Sequence, residues 1–339
     1  MIAPTMIRQI GASTQSFTVR FPKLTRLVAM QQQQNDKVVS SASGGPIEPR
    51  NAKVIETALQ RLNLRVLENA DSGVAQPQTA QSGRRVYVAR HAERVDFTFG
   101  SWVPYSFNDA GEYVRKDLNM PKSLPPRSPN IWQQDTPLTN LGCYQARLTG
   151  EAMKEAGVRI DHVFCSPAFR CVQTAASIIE GLGLRESLPI RIEPGLLEWL
   201  TWYPAGIPTY LSNDELTSAG INAAKNYTPL TSVEDLKQSM KESFEAFCSR
   251  NAELSKQLIK ATEGNILIVG HAATLETCTS AFVHPDIPLT RDLLKRILKF
   301  SYCSIVMMES VDGSWKMTRP PCAPFTNSKN DRFDWKDLS

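Results

Sequence analysis

Residues 84–94 read RRVYVARHAER, and the architecture follows from them. Val86–Ala89 is a short β-rich run that stops abruptly at Arg90-His91. The same event recurs three times downstream. His162-Val163-Phe164-Cys165 reads as a strand ending at Ser166-Pro167. Ile190–Ile192 leads a strand toward Leu196-Leu197-Glu198, and Ile266–Val269 reaches Gly270-His271. Between these runs lie helical stretches: Thr139–Gly157, with Gly157 as its stop, Ala168–Leu182, and a long one opened by the capping-box spacing of Thr231-Ser232-Val233-Glu234 and ending before Gly264. Ala272–Phe282 is again helical, and Ser304–Met308 makes a final strand. Strands alternating with helices predict an α/β fold, a three-layer α/β/α sandwich built on a mostly parallel, doubly wound sheet.

Composition sets the outer bounds. The chain has 339 residues, 42% of them hydrophobic and 21% charged, enough for a substantial core. A formal net charge of +4 without a basic block or an aromatic-basic stripe argues against nucleic acid. Seven cysteines without repeated spacing give neither a disulfide framework nor a zinc pattern, which favours a reducing compartment. No apolar run approaches the ~20 residues of a membrane span. Residues 1–83 are polar, with one short helical pattern near Val54–Leu67, and are expected to form a disordered or partly helical tail before a domain at 84–339. Residues 1–35 carry Arg8, Arg20, Lys23 and Arg26 with no acidic residue before Asp36. That resembles a mitochondrial transit peptide and makes mitochondria the alternative to a cytoplasmic location.

The chemistry collects where the strands stop. Arg90 and His91 follow the first strand, Arg170 the second, Glu198 the third and His271 the fourth. Ligands of open parallel sheets bind outside the carboxyl ends of the strands, so these loops converge. Arginine offers a planar fork of donors matched to phosphate oxygens, and Arg90, Arg94 and Arg170 would surround a phosphoryl group. Like charge lowers the proton affinity of a histidine from its usual ~6.5, leaving His91 neutral and nucleophilic. It could attack phosphorus and split one hard step into two. Glu198 is the candidate proton donor to the leaving oxygen and, afterwards, the base for water. His271 would hydrogen-bond the transferring oxygens; losing such a donor costs about a hundred- to a thousandfold in rate. No metal and no organic cofactor is called for.

Alternatives exist for single residues. Glu93 and Glu193 are nearby carboxylates, and Glu93, beside the nucleophile, could orient it instead. His162 and His284 are read as structural. Cysteine-dependent tyrosine phosphatases wrap phosphate in a longer Cys-to-Arg loop, and the interval from Cys165 to Arg170 fails that spacing; Cys165 reads as a small buried residue. No nucleotide-binding Gly-x4-Gly-Lys-Ser/Thr loop occurs.

Arg90-His91-Ala92-Glu93-Arg94 resembles the Arg-His-Gly-Glu signature of the histidine phosphatase (phosphoglycerate mutase-like) superfamily. Within it the resemblance points to the branch of the ubiquitin-associated and Src-homology-containing tyrosine phosphatases and the ecdysteroid-phosphate phosphatases. It runs from about Val86 to Trp335 through NMPKSLPPR (119–127), DHVFCSPAFRCVQTA (161–175), RIEPGLLEW (191–199), NILIVGHAATLE (265–276) and the closing Phe333-Asp334-Trp335. It assigns catalytic roles to His91, Glu198 and His271 and phosphate binding to Arg90, Arg94 and Arg170. It implies dimerisation through this domain, as in the signalling members. Two departures stand out. Ala92 replaces the usual Gly and would tighten the space beside the phosphate. The N-terminal stretch is too short for both ubiquitin-associated and Src-homology domains, a layout closer to the steroid-phosphate enzymes. Ala272 after His271, where other branches carry Asp, agrees with an acid at Glu198.

Asp96–Asp135 is a long connection with Trp102, Tyr105, Phe107 and Trp132, the pattern of a lid or specificity element. Trp199, Trp202 and Tyr203 follow the candidate acid and suit a flat or apolar leaving group. The expected substrates are therefore phosphotyrosine-like or steroid phosphates, as a phosphorylated small molecule or a phosphotyrosine protein. A phosphoglycerate mutase-like phosphotransferase and a non-catalytic phosphate-binding protein are the alternatives.

Overall fold

The structure, a computed structural model, describes residues 83–325. The expected tail at 1–83, its helix near 54–67 and the motif at 333–335 lie outside the described residues, apart from Gly83.

A six-stranded sheet organises these residues, in the order β3-β2-β4-β1-β5-β6. The strands are β1 (Arg85–Arg90), β2 (His162–Cys165), β3 (Ile190–Ile192), β4 (Ile266–Gly270), β5 (Ile305–Val311) and β6 (Ser314–Thr318). The first four pair in parallel, while β5 and β6 are antiparallel. β1 and β4 are buried along their whole length, which is why they read as continuous apolar runs.

Alternate residues of each strand serve different layers. Tyr87, Ala89, Val163, Cys165, Leu267 and Val269 join one core with two helices, α1 (Asn140–Glu155) and α2 (Phe169–Leu182). Val86, Val88, Phe164, Ile266 and Ile268 join the other, against Leu254, Leu258 and Ile259 of α3 (Phe244–Ala261). The α/β/α sandwich follows directly from that alternation.

α1 starts at Thr139, whose hydroxyl accepts the Gly142 N–H at 2.9 Å. α1 and α2 cross backbone to backbone at Gly150 and Gly181. A Cβ on Gly150 would sit 2.1 Å from the Ile178 carbonyl oxygen, and one on Gly181 2.1 Å from that of Arg147. The crossing fixes α2, and thereby Arg170 in its first turn.

Three elements differ from the sequence reading. The long helix expected from Thr231 is two: a short one at Val233–Gln238, capped by Ser232 with Asp235 rather than by Thr231 with Glu234, and then α3, restarted by Ser243. Two serine caps in succession define two starts. Ala272–Phe282 contains two short helices, Thr274–Thr277 and Ser280–Val283. Between them Thr279 bonds back to the Leu275 carbonyl at 2.6 Å, the side-chain competition that interrupts helices. The strand expected at Ser304–Met308 is not the last. It runs to Val311 and turns through Asp312-Gly313, both at positive φ (51° and 78°), into β6. Those angles are the type I′ hairpin turn that Asp-Gly favours.

The connection 96–135 also departs from a lid. Trp102 and Trp132 are fully buried and belong to the α1/α2 core, while Tyr105 bonds the Phe99 carbonyl from the surface.

Candidate active site

Strand register brings the two histidines together. Arg90 pairs with Gly270 at the shared end of β1 and β4, and the His91 N–H donates to the Gly270 carbonyl at 2.8 Å. His91 and His271 are thus the next residues on adjacent strands, their rings edge to face with centroids 5.7 Å apart. β2 ends beside β4 in the same way: the Ser166 N–H bonds the Val269 carbonyl, and α2 then delivers Arg170. The Glu193 N–H on the Cys165 carbonyl ties the third loop in, and Glu198 follows.

The His91 Nδ1 lies 2.8 Å from the Ala92 carbonyl oxygen. A carbonyl only accepts, so Nδ1 carries the proton and Nε2 the lone pair. Burial, followed by the charges of Arg170, Arg90, His271 and Arg94, keeps this imidazole well below its usual pKa. It is neutral at physiological pH.

Arg170, 2% exposed, bonds Glu198 Oε2 at 2.6 Å and His271 Nδ1 at 3.2 Å. Since arginine only donates, His271 Nδ1 accepts, and its Nε2–H faces Ser166 Oγ at 2.9 Å. Burial pushes His271 down to about 3 against the opposing pull of Glu198, and Arg170, Arg94 and Arg90 add to the lowering. For Glu198, burial alone would raise the carboxyl; His271, Arg170, Arg94 and Arg90 override it and bring it to about 2. Arg90 is fully buried, bonds the Phe300 carbonyl and lies over the Tyr302 ring at 4.4 Å. Burial lowers it only to about 10, so it stays charged. Arg94 forks onto Asp96, with both bonds at 2.6 Å, an ion pair that the sequence reading did not anticipate. Glu198 and Arg94, with side chains 18% and 14% exposed, are the accessible members of the group.

The alternatives for single residues now resolve. Glu93 does not orient His91: its carboxylate accepts from Thr139 at 2.7 Å and from Asn119 at 3.3 Å, and the Ala92 carbonyl holds the ring instead. Glu193 is fully buried and consumed by Gly195, Thr231, Leu230 and Tyr227. Ala92 points its methyl into the α1/α2 core, where it meets hydrophobic side chains. Burial raises the Cys165 thiol well above its usual range and Cys171 to about 12, so neither is a thiolate.

Of the three aromatics after Glu198, Tyr203 feels the ionic group: burial and then Glu198 push its hydroxyl up to about 12, and Arg170 acts on it in the opposite sense. Trp199 is tied away, its Nε1 donating to the Glu242 carbonyl at 3.1 Å and its ring packing on Phe244. Trp202 stacks edge-on against Trp199 and is 42% exposed. Sequence reasoning missed Ser166, Thr174, which accepts the Ala92 N–H at 3.0 Å, and Asp135, which accepts the Phe169 N–H at 2.7 Å and starts α2. Asp135 pairs with Arg127 at 2.8 Å. Ser166 and Thr174 lie inside the quoted 161–175 motif, so spacing from Arg170 could have flagged both. Among the described residues no group of three or more His, Cys, Asp or Glu side chains is arranged to hold a metal ion, and no helix is long and apolar enough to cross a membrane.

Parallel strands that end in two neutral histidines, buried arginines and an ionised carboxylate carry the donors and charge that could hold a tetrahedral oxyanion. The sequence profile of the histidine phosphatase superfamily (branch 1) matches residues 129–321, and the β1 end with His91 lies upstream of that match. The ecdysteroid-phosphate phosphatase of Drosophila melanogaster is 50% identical over 258 residues, 76% of this chain and 34% of that protein. Ubiquitin-associated and SH3 domain-containing protein B of Homo sapiens is 38% identical over 269 residues, 77% of this chain and 41% of that protein. The crystal structure of the Bombyx mori ecdysone phosphate phosphatase in complex with tungstate superposes with a TM-score of 0.65 at 38% identity, covering 76% of this chain and all of that one. The chain belongs to the histidine phosphatase superfamily. It spans about a third to two fifths of the length of these curated relatives.

Proposed function

We propose that residues 84–339 form a metal-independent phosphomonoesterase that works through a phosphorylated His91. The observation that carries this reading is the bond from His91 Nδ1 to the Ala92 carbonyl, which leaves the Nε2 lone pair on a neutral ring among arginines. Nε2 attacks phosphorus and the ester P–O bond breaks. Glu198, which takes up a proton from solvent as the phosphate dianion binds beside it, gives that proton to the leaving oxygen, so an alcohol or phenol departs. A water then loses a proton to the Glu198 carboxylate and attacks the phosphohistidine; the P–N bond breaks, and phosphate and free His91 are restored. Arg90, Arg94 and Arg170 offset the charge of the phosphoryl oxygens throughout.

The substrates we propose are aryl or steroid phosphates, of the phosphotyrosine or ecdysteroid-phosphate type. Two relatives named for ecdysteroid or ecdysone phosphate support the steroid class, and tungstate bound by one of them is a tetrahedral dianion like phosphate. The ring of Tyr203, whose hydroxyl feels both Glu198 and Arg170, suits a flat leaving group.

The test is hydrolysis of an aryl phosphate and of an ecdysteroid phosphate in chelator, with the natural protein and His91→Ala. Activity that survives chelator and vanishes in the variant is expected. Equal rates in the two proteins would remove His91 as nucleophile, and no turnover in either would favour a phosphate-binding role.

A further inference from the structure

The loop that carries Glu198 is gripped from behind by one buried ion pair. Arg250, in α3, forks onto Glu242 at 2.8 and 3.0 Å. Its remaining donors reach the carbonyls of Gly195 at 2.6 Å, Leu197 at 3.2 Å and Glu198 itself at 3.3 Å. Glu242 closes the grip from the other side. Its carboxylate accepts the Leu200 N–H at 2.9 Å, and its carbonyl accepts the Trp199 indole at 3.1 Å. Backbone groups before and after Glu198 are thereby fixed by two side chains that are 13% and 4% exposed. Neither Arg250 nor Glu242 bonds the histidines or Arg170. A loop with three-residue 3₁₀ turns on both sides of Glu198 has little regular backbone bonding of its own to hold it.

We infer that Arg250 and Glu242 are positioning residues for proton donation, setting where the Glu198 carboxyl stands relative to the leaving oxygen. This rests on the proposed role of Glu198. The arrangement fits that task because Arg250 binds the acid's own carbonyl and two carbonyls before it through one rigid fork, while Glu242 holds the flank after it; a lysine ammonium would contact only part of that set.

Leaving groups separate positioning from general support. Dinitrophenolate departs without a proton, whereas phenolate at neutral pH needs one. Phenyl phosphate and 2,4-dinitrophenyl phosphate are therefore compared in the full chain, Arg250→Lys, Glu242→Gln and Glu198→Gln, below each protein's melting temperature. Glu242→Gln is nearly isosteric and keeps the set informative should Arg250→Lys fold poorly. Both brace variants are expected to lose about ten- to a hundredfold in kcat/KM, which reports the phosphorylation step, on phenyl phosphate and less than about threefold on dinitrophenyl phosphate. Equal losses on both substrates in the brace variants, with Glu198→Gln still discriminating between them, would overturn the positioning role. Failure of Glu198→Gln to discriminate would remove Glu198 as proton donor, and this inference with it.

Discussion

Replacing His271 with Asn should flatten the acid limb of the stability curve. His271 is 1% exposed, and burial with the three arginines holds it at about 3 in the folded protein. In the unfolded chain it returns to ~6.5. Its folded value is depressed, so its contribution is fully present above the unfolded pKa and is lost as pH falls from there toward 3. Between pH 7 and pH 5 the unfolded histidine gains about 1.4 units of proton-binding free energy that the folded one does not, or about 1.9 kcal/mol. Glu198, with a folded value of about 2, is ionised in the folded protein at both pH values and adds little over that window. Urea unfolding at pH 7, 6 and 5 measures the effect. The natural protein should lose about 1.9 kcal/mol more than His271→Asn across the range. Parallel curves would refute the reasoning, as would a His271 ring that titrates near 6.5 by NMR in the folded state.

Ser166→Ala leaves the buried His271 Nε2–H without its acceptor; the expected cost is about 1–3 kcal/mol in unfolding free energy, with kcat falling more than KM changes. Gly150→Ala forces a methyl against the Ile178 carbonyl and should destabilise by about 1–3 kcal/mol or more, read from the urea midpoint. Asp135→Ala strands Arg127 and uncaps α2, so about 3–5 kcal/mol of stability should disappear in thermal or denaturant unfolding. Sulfate, a dianion at every working pH, should bind with proton uptake when calorimetry is repeated in buffers of different ionisation enthalpy, and Glu198→Gln should abolish that uptake.

Strand ends were legible in the sequence because a buried parallel strand is a continuous apolar run, and the residue that breaks it is conspicuous. That logic places His91, Arg170, Glu198 and His271 on one edge, and the register of β1 against β4 makes His91 and His271 neighbours. What escaped was whatever depends on partners distant in sequence. Nothing local distinguishes Arg250 from a surface arginine, since its role arises only when α3 packs against the 195–201 loop. Asp96 enters the sequence reading only as the start of the long connection, yet it engages Arg94. Trp102 and Trp132 looked like a lid because aromatic composition does not say which way a ring faces. The Asp312-Gly313 hairpin is a different failure: the turn signal was present, and reading the strand as terminal hid it.

The electrostatics of the site set two demands that the same arginines must satisfy. His91 has to be neutral to attack, and burial among positive charges achieves that at any pH near neutrality. Glu198 has to be protonated to serve as an acid, yet those charges, with Arg170 at 2.6 Å, hold it as a carboxylate. In the proposed reaction the substrate reconciles the two. A phosphate dianion competes for Arg170, Arg94 and Arg90 and places its own negative charge beside Glu198. Both effects raise the affinity of the carboxyl for a proton, while the attacking nitrogen, already neutral, keeps its lone pair. On this argument the acid is loaded by the substrate it will protonate, and the brace from Arg250 matters because a carboxylate released by Arg170 would otherwise lose its fixed position at that moment.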